Sequence, residues 1–270
     1  HASLVDAARL SGATLRRYAH GDLEAVERRL GAATGHTLLV TDGVFSMDGD
    51  AAPLTGLVTL AAEASATLVV DDAHGLGVLG QTGGGLCETE DLGPDAVPVL
   101  IGTLGKAFGC AGAFVAGSRE LVEHLENHAR PVIYSTALPP LTAAAALDSL
   151  ARIRAGDALR ARLRDNVDRF RSGAAARGIA LLPSDSPIQP LLVGDETQTL
   201  SLSAALEEAG YLVTAIRPPT VPVGTSRLRI TLSAAHEPAQ IEGLLLALGE
   251  ALAKVGDGAI AEDQQALFSP

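Results

Sequence analysis

Lys106 lies in the segment GTLGKAFG, directly after the apolar run VPVLI. The chain holds 20 Lys plus Arg, of which two are lysines, Lys106 and Lys254, so the remaining eighteen are arginines. A chain that supplies nearly all its positive charge with arginine has kept lysine where arginine could also supply charge. Lysine differs because its primary amine can lose a proton and attack a carbonyl group. The position therefore predicts that Lys106 forms a Schiff base.

Polar side chains with matching chemistry follow two other apolar runs, and Thr103 ends the run before Lys106. Asp71 could keep a pyridine nitrogen protonated, and His74 could bond the phenolic oxygen of the same ring. Ser46 and Thr103 could bond a phosphate or a ring substituent. Pyridoxal 5'-phosphate requires a Schiff-base lysine and an acidic partner for its ring nitrogen. The residues therefore predict a pyridoxal phosphate site, in which the protonated ring accepts the electrons of a carbanion.

The three apolar runs are expected to be strands of one parallel sheet. They are TLLVTDGVFSMD (37–48), ATLVVDDAHG (66–75) and VPVLIGTLGK (97–106). Continuous apolar runs are typical of strands covered on both faces, and the helical spacing of LTGLVTLAAEA between the first two predicts a β-α-β unit. Ligands collect at the carboxyl ends of parallel strands. The polar groups at these ends should therefore converge on one crevice.

The pattern changes from about residue 142, where an Arg-rich helical region (142–177) leads into shorter elements. Predicted strands are IALLP, IQPLLVG, YLVTAIR and RLRITLS, and predicted helices are LSLSAALEEAG and AQIEGLLLALGEALAKVG. We expect an α/β protein with a mostly parallel sheet, helices on both faces and a smaller C-terminal α+β domain. The predicted divisions are a cofactor-binding large domain (1–150), a small domain (151–256) and a flexible tail (257–270). The arginines between 152 and 171 are interpreted as the solvated face of a helix.

Charge and composition exclude several classes of function. The net charge of −12 disfavours nucleic acid or an anionic membrane as the main partner. No apolar run reaches the length of about eighteen residues that a membrane span needs. The two cysteines, Cys87 and Cys110, give neither a disulfide framework nor metal-ligand spacing, so we expect no metal site and a reducing, cytoplasmic location.

Two glycine-rich segments resemble nucleotide-binding motifs without their context. GLGVLG (75–80) matches a dinucleotide fingerprint, but the following QTGGGLCETEDLGPD has no helical period. GTLGKAFG has Ala107 after the lysine, where a phosphate-binding loop needs Ser or Thr. A dinucleotide oxidoreductase and a nucleotide triphosphatase are therefore both disfavoured.

Five longer segments carry a resemblance to a known family. The segments VTDGVFSMDGD, LVVDDAHGLGVLG, GTLGKAFG, YSTALPP and VTAIRPPTVPVGTSRLRITLSAAH resemble the α-oxoamine synthases, which are fold-type I pyridoxal phosphate transferases. The resemblance runs from His1 to about residue 250 and implies decarboxylative condensation of an amino acid with an acyl thioester. The segments AIRPPTVP and GTSRLR are most similar to members that condense L-alanine with a pimeloyl thioester, of CoA or of acyl carrier protein, in biotin biosynthesis.

The resemblance implies the same cofactor roles for the residues named above and makes Lys106 the acid–base group at the alanine α-carbon. It implies that His1 stacks on the cofactor ring, that Arg229 holds the amino-acid carboxylate and that Thr220 contacts substrate. Thr136 would reach the phosphate of the neighbouring subunit's cofactor, which implies a homodimer.

Strand alternation places Arg227 and Arg229 on one face, so alternation alone does not choose between them. The resemblance chooses Arg229, and Arg227 is interpreted as a surface or interdomain charge.

Other readings of the same motifs remain open. Related synthases such as glycine C-acetyltransferase and 5-aminolevulinate synthase join glycine to acetyl- or succinyl-CoA, and others join serine to a long acyl thioester. Members of the family begin well before the residue that matches His1, so the chain is expected to be N-terminally incomplete. A non-catalytic fragment with the fold but no cofactor is the alternative from another class.

Overall fold

The computed structural model describes residues 1–256, and the chain divides into two units. The first unit comprises His1–Ser46 and Ala51–Arg160, and the second comprises Met47–Asp50 together with the described residues from Ala161 to Gly256. The division after Arg160 therefore lies ten residues beyond the domain boundary predicted at residue 150. The predicted tail, 257–270, lies outside the described residues.

The first unit is built around a four-stranded sheet. Its elements in chain order are α1 (Ala2–Leu10), α2 (Leu23–Gly31), β1 (Leu38–Asp42), α3 (Leu54–Glu63), β2 (Thr67–Asp71), α4 (Gly85–Thr89), β3 (Val99–Thr103), β4 (Ala113–Gly117), α5 (Arg119–His128), α6 (Arg130–Ile133) and α7 (Pro140–Arg154). The strand order is β1-β2-β3-β4. The pairs β1–β2 and β2–β3 are parallel, whereas β4 is antiparallel to β3. The predicted α/β class with a mostly parallel sheet is confirmed.

The core of the first unit follows from the apolar runs. Leu68 and Val70 in β2 are buried, and α3 adds Leu54, Leu57 and Ala61 from one helical face. A fully buried Leu or Val side chain contributes roughly 1.5–3 kcal/mol relative to an exposed one. This packing fixes β2, whose last residue is the predicted cofactor ligand.

Within residues 1–256, the second unit combines three helices with a three-stranded antiparallel sheet. Its elements are α8, which begins before the unit boundary (Asp157–Ala176), β5 (Ile188–Gly194), α9 (Glu196–Glu208), β6 (Thr214–Ile216), β7 (Ser226–Thr231) and α10 (Pro238–Gly256). The strand order is β5-β7-β6. Its fully buried side chains include Phe170, Leu202, Leu228 and Leu245. The helices therefore pack their apolar faces into a core separate from that of the first unit.

Three predicted elements differ from the structure. The segment IALLP (179–183) is not a strand, although Leu182 N–H donates to the Pro190 carbonyl at 3.0 Å. The helical region 142–177 is two helices that break at Ala155 and Gly156. Strand β6 covers only three residues of the predicted YLVTAIR, and Pro218, which has no N–H for a ladder, follows shortly after its C-terminal end.

The interpretation of the arginine run as a solvated helix face is wrong for two of its members. Arg160 is buried and donates to the carbonyls of Gln81 (2.8 Å) and Ile153 (2.5 Å). Arg171 is half-buried and donates to Gln189 Oε1 at 2.7 Å. Both side chains therefore hold neighbouring loops in place.

None of the helices within residues 1–256 combines the length and apolar character required to cross a membrane.

Candidate active site

The carboxyl ends of the parallel strands lie in register. Asp42 pairs with Asp71, and Asp71 pairs with Ile101 on the next strand. Thr103 is two residues beyond Ile101, so its side chain points to the same face of the sheet. The structure thus brings Asp71 and Thr103 to one edge of the sheet, where parallel α/β folds bind ligands.

Asp71, the last residue of β2, has a carboxyl group with a raised pKa. It is half-buried, and its Oδ1 accepts the Ala73 N–H at 3.1 Å. Burial raises the pKa of Asp71, the Ala73 hydrogen bond lowers it, the Asp42 charge raises it, and the Lys106 charge lowers it. Lys106 therefore lies close enough to Asp71 to stabilise its ionised form, and the two predicted key residues share one electrostatic environment.

Lys106 begins a turn within the connection between β3 and β4, residues 104–112. The turn is closed by Gly109 N–H to the Lys106 carbonyl (2.9 Å). Thr103 braces its base, since Oγ1 accepts the Gly105 N–H (3.1 Å) and donates to the Gly112 carbonyl (3.3 Å). The Lys106 side chain is exposed. A short turn fixed by its own backbone presents the amine at the strand end. A phosphate contact of Thr103 stays a prediction.

His74 follows Asp71, and Ser46 follows β1. Both residues lie on loops whose backbone is hydrogen-bonded to the strand ends. The Asp72 carbonyl accepts the Gly75 N–H at 3.2 Å, which forms a turn that carries His74. The Gly43 N–H donates to the Asp71 carbonyl at 2.8 Å, three residues before Ser46. Both side chains are half-buried, and both belong to the first unit with Asp71. Their contacts to a cofactor stay predictions.

His1 and Thr136 belong to the first unit and are exposed. The His1 ring caps α1, because its Nδ1 accepts the Ser3 N–H at 3.3 Å and lies 2.7 Å from Ser3 Oγ. Thr136 lies between α6 and α7. The ring-stacking role of His1 and the role of Thr136 toward a neighbouring subunit stay predictions.

The two arginines of β7, in the second unit, differ sharply although they share a face. Arg229 is half-buried, burial lowers its pKa, and its Nη1 donates to Thr231 Oγ1 at 3.1 Å. Arg227 is 6% exposed, forms an ion pair with Asp48, and donates from Nε to the Thr225 carbonyl at 3.0 Å. Arg227 is therefore a buried, paired group and not a surface charge. Thr220 is exposed before β7.

Asp72 is a carboxyl group whose importance the motif reading missed. Its side chain is fully buried, and burial raises its pKa to about 7. The sequence does contain a second aspartate at the end of a buried strand, directly after Asp71. Because successive side chains of a strand point to opposite faces, this second side chain could have been predicted to face the interior.

A family model gives the affiliation. The model described as aminotransferase class I and II matches residues 1–248. The chain belongs to the class I and II aminotransferase family. Its members with curated names include 8-amino-7-oxononanoate synthases. The protein of that name from Alkalilimnicola ehrlichii is 59% identical over 253 residues, which are 93% of this chain and 65% of that protein. The one from Pseudomonas aeruginosa is 53% identical over 262 residues, 97% of this chain and 65% of its own length.

Solved structures support the same affiliation. A serine palmitoyltransferase from Sphingomonas wittichii has a TM-score of 0.91 and 32% identity, covering 95% of this chain and 65% of that one. An 8-amino-7-oxononanoate synthase from Francisella tularensis has a TM-score of 0.82 and 32% identity, covering 94% and 73%. The chain of this aminotransferase-family protein thus spans about 65% of the length of the curated relatives it matches. The resemblance recognised in the motifs, and the fold-type I architecture it implied, are confirmed.

Proposed function

We propose that the protein is a pyridoxal phosphate-dependent 8-amino-7-oxononanoate synthase of biotin biosynthesis. It would condense L-alanine with pimeloyl-CoA or pimeloyl-acyl carrier protein and release carbon dioxide and the thiol carrier. The observation that carries the proposal is the identity of 53–59% to proteins of that name, over 93–97% of this chain. The likeness to a serine palmitoyltransferase, at 32% identity, is weaker in sequence.

The residues at the strand ends fit the cofactor. Asp71 is a half-buried carboxyl group whose burial disfavours its charged form. A cation at its side offsets that cost, and a protonated ring nitrogen is such a cation. Lys106 is the only lysine of the first unit, because the other lysine, Lys254, belongs to α10 of the second unit. When bound, pyridoxal phosphate would supply an electron sink for a carbanion at the alanine α-carbon.

The remaining roles belong to side chains of this chain. Asp71 would keep the ring nitrogen protonated, His74 would donate to the ring oxygen, and Ser46 and Thr103 would bind the cofactor. His1 would cover the ring face and exclude water. These contacts fix the ring in one orientation, which is a condition for selective bond cleavage.

Proton movements and substrate binding would fall to three residues. Lys106 would take the α-proton of alanine, after which the α-carbon bonds to the thioester carbonyl carbon and the thiol leaves. The carboxylate bond then breaks, carbon dioxide departs, and Lys106 would return a proton to the α-carbon. Arg229 would hold the carboxylate through two parallel hydrogen bonds, and the exposed Thr220 would contact substrate.

Related substrates are the competing candidates, because the serine palmitoyltransferase neighbour has the same fold. Synthases that use glycine with acetyl- or succinyl-CoA remain alternatives as well. The homodimer, with Thr136 at the neighbour's cofactor, and the cytoplasmic location remain predictions.

The test is product formation by the native protein loaded with pyridoxal phosphate. Alanine, glycine and serine are each combined with pimeloyl-, acetyl-, succinyl- and palmitoyl-CoA, and products are identified by mass with release of thiol and carbon dioxide. We expect turnover from alanine with pimeloyl-CoA, and an arm with pimeloyl-acyl carrier protein identifies the preferred carrier. Product from glycine or serine, with none from alanine, would contradict the proposal.

A further inference from the structure

Asp72 lies back to back with Asp71 at the end of β2. Successive side chains on extended chain point to opposite faces, so Asp71 faces the crevice and Asp72 the interior. The Asp72 N–H continues the sheet ladder by donating to the Ile101 carbonyl at 2.9 Å. Its carboxyl group is fully buried. A buried carboxyl group is costly unless a specific arrangement requires it.

Three glycines from three separate segments surround this carboxyl group. A Cβ atom placed on Gly43 or Gly75 would lie less than 3.0 Å from Asp72 Oδ1, and one on Gly85 less than 3.0 Å from Oδ2. Gly43 follows β1, Gly75 follows His74, and Gly85 begins α4 with φ of +84°, a conformation that favours glycine. The backbone of all three segments therefore closes directly on the Asp72 side chain.

The polar contacts of this carboxyl group are asymmetric. Oδ2 accepts the Leu86 N–H at 2.7 Å, whereas Oδ1 is buried with no hydrogen-bond partner among residues 1–256. Burial raises the pKa of Asp72 to about 7, the hydrogen bond from Leu86 lowers it, and the Asp71 charge raises it. The carboxyl group of Asp72 is therefore protonated at a higher pH than that of an ordinary aspartate.

We propose that Asp72 is a positioning residue of the cofactor site, whose buried carboxyl group joins the segments at Gly43, Gly75 and Gly85 and thereby fixes Asp71 and His74. The link to Asp71 is direct, since the Gly43 N–H donates to the Asp71 carbonyl at 2.8 Å. The link to His74 passes through Gly75, its neighbour in the chain. This inference rests on the proposed function, because it concerns the residues that would hold the cofactor.

Two substitutions separate this role from general stability. Asp72→Asn keeps the shape and an oxygen that accepts from Leu86, and it mimics the protonated acid. Asp72→Ala removes both. The matched control is Glu88→Gln, because Glu88 supports the other side of the same glycine-rich loop by accepting from Thr82 N–H (2.9 Å) and Gly84 N–H (2.7 Å).

Three properties are measured for the parent protein and for each variant. They are the dissociation constant of pyridoxal phosphate by absorbance titration, the pH midpoint of the bound cofactor's absorbance change, and the melting temperature of the apoprotein. We expect Asp72→Ala to weaken cofactor binding about tenfold or more and to shift the pH midpoint, since displaced binding groups lose affinity steeply. Asp72→Asn should stay within about threefold of the parent, and Glu88→Gln should alter only the melting temperature.

If Asp72→Ala does not fold, Asp72→Ser takes its place with the same expectation. A lower melting temperature with unchanged cofactor affinity and pH midpoint in the Ala or Ser variant would overturn the inference. Equal cofactor effects of Glu88→Gln would do the same. A parent protein that binds no pyridoxal phosphate would overturn the proposed function, and this inference with it, and is recognised before any variant is made.

Discussion

Two buried polar side chains of the second unit differ from two acids of the first. In the second unit, Arg227 pairs with Asp48, and Gln189 accepts from Arg171 at 2.7 Å while donating to the Ser186 carbonyl at 2.6 Å. In the first unit, the carboxyl groups of Asp71 and Asp72 have pKa values raised by burial.

The difference distinguishes polar side chains that stabilise the fold from polar side chains that serve the cofactor site. A buried polar group with good partners stabilises the fold and resists change. A half-buried acid whose pKa is raised, such as Asp71 at the carboxyl end of β2, is a candidate for binding a ligand. On this basis, substitutions of Asp71 or Asp72 should alter cofactor chemistry, whereas substitutions of Arg227 or Gln189 should alter stability.

The largest effect is expected from Lys106→Arg. The guanidinium keeps the charge but stays protonated, so it can neither form an imine nor carry the α-proton. Turnover of alanine should fall by at least about 10²–10⁴-fold, the usual contribution of an acid–base group, and the cofactor absorbance band should be lost. Lys254→Arg, on the exposed last turn of α10, is the matched control and should behave like the parent. Equal losses in both variants would contradict the assignment.

Asp71→Asn is expected to have the next largest effect. An amide cannot keep the ring nitrogen protonated, so exchange of the alanine α-proton should slow about a hundredfold, roughly 3 kcal/mol of barrier. The measurement is deuterium exchange followed by NMR. Asp42→Asn, at the neighbouring strand end, removes a charge that raises the pKa of Asp71 and should leave exchange close to the parent's rate. Exchange that is unchanged in Asp71→Asn would count against its role.

The two arginines of β7 test the comparison within a single strand. Arg229→Lys loses the planar two-bond grip on a carboxylate, so the KM for alanine should rise about tenfold and kcat should fall, with a smaller change in the thioester KM. Arg227→Lys disturbs a buried ion pair, and we expect a loss of about 1–3 kcal/mol of stability with little change in the KM for alanine. Steady-state kinetics and thermal unfolding on both variants decide. Should Arg227→Lys raise the alanine KM more, the carboxylate role passes to Arg227.

The smallest effect concerns the pH dependence of stability. The pKa of Asp72 is about 7 in the folded protein against an ordinary value of 3.8, so the folded state holds a proton that the unfolded state has lost between these values. The free energy of unfolding should therefore fall as pH rises from about 4 to about 7, with this group contributing at most about 1.4 kcal/mol per pH unit. Asp72→Asn should remove that part of the slope. The measurement is denaturant titration of the apoprotein at several pH values. If the free energy of unfolding has the same dependence on pH in the parent and in Asp72→Asn, the contribution of Asp72 is excluded.

The parallel strands and the strand-end residues could be predicted from the sequence for a simple physical reason. A strand buried on both faces must be apolar throughout, so its first polar residue marks where it leaves the core, as Asp71 does. The same logic located Thr103 and the turn of Lys106. The tight Lys106 turn needs only local hydrogen bonds, which local sequence encodes.

The missed features depend on contacts distant in sequence. IALLP looks like a strand, but the nearby Ser184 hydroxyl lies within hydrogen-bond distance of the carbonyls of Gly49 (2.8 Å) and Ile188 (2.7 Å), which holds this region in an irregular form. The burial of Arg227 depends on Asp48, 179 residues earlier. Asp72 is enclosed by glycines that no local pattern connects. Such partners are set by tertiary packing, which a single sequence does not display.

The most direct test of the central claim, that Lys106 holds a carbonyl cofactor beside Asp71, is borohydride reduction of the native protein loaded with pyridoxal phosphate, followed by peptide mapping. Reduction fixes the cofactor to the amine that carries it, and only two lysines lie within these 270 residues. We predict that the phosphopyridoxyl mass lies on the peptide that contains Lys106. A mass on the peptide that contains Lys254, or no labelled peptide from this chain, would contradict the account.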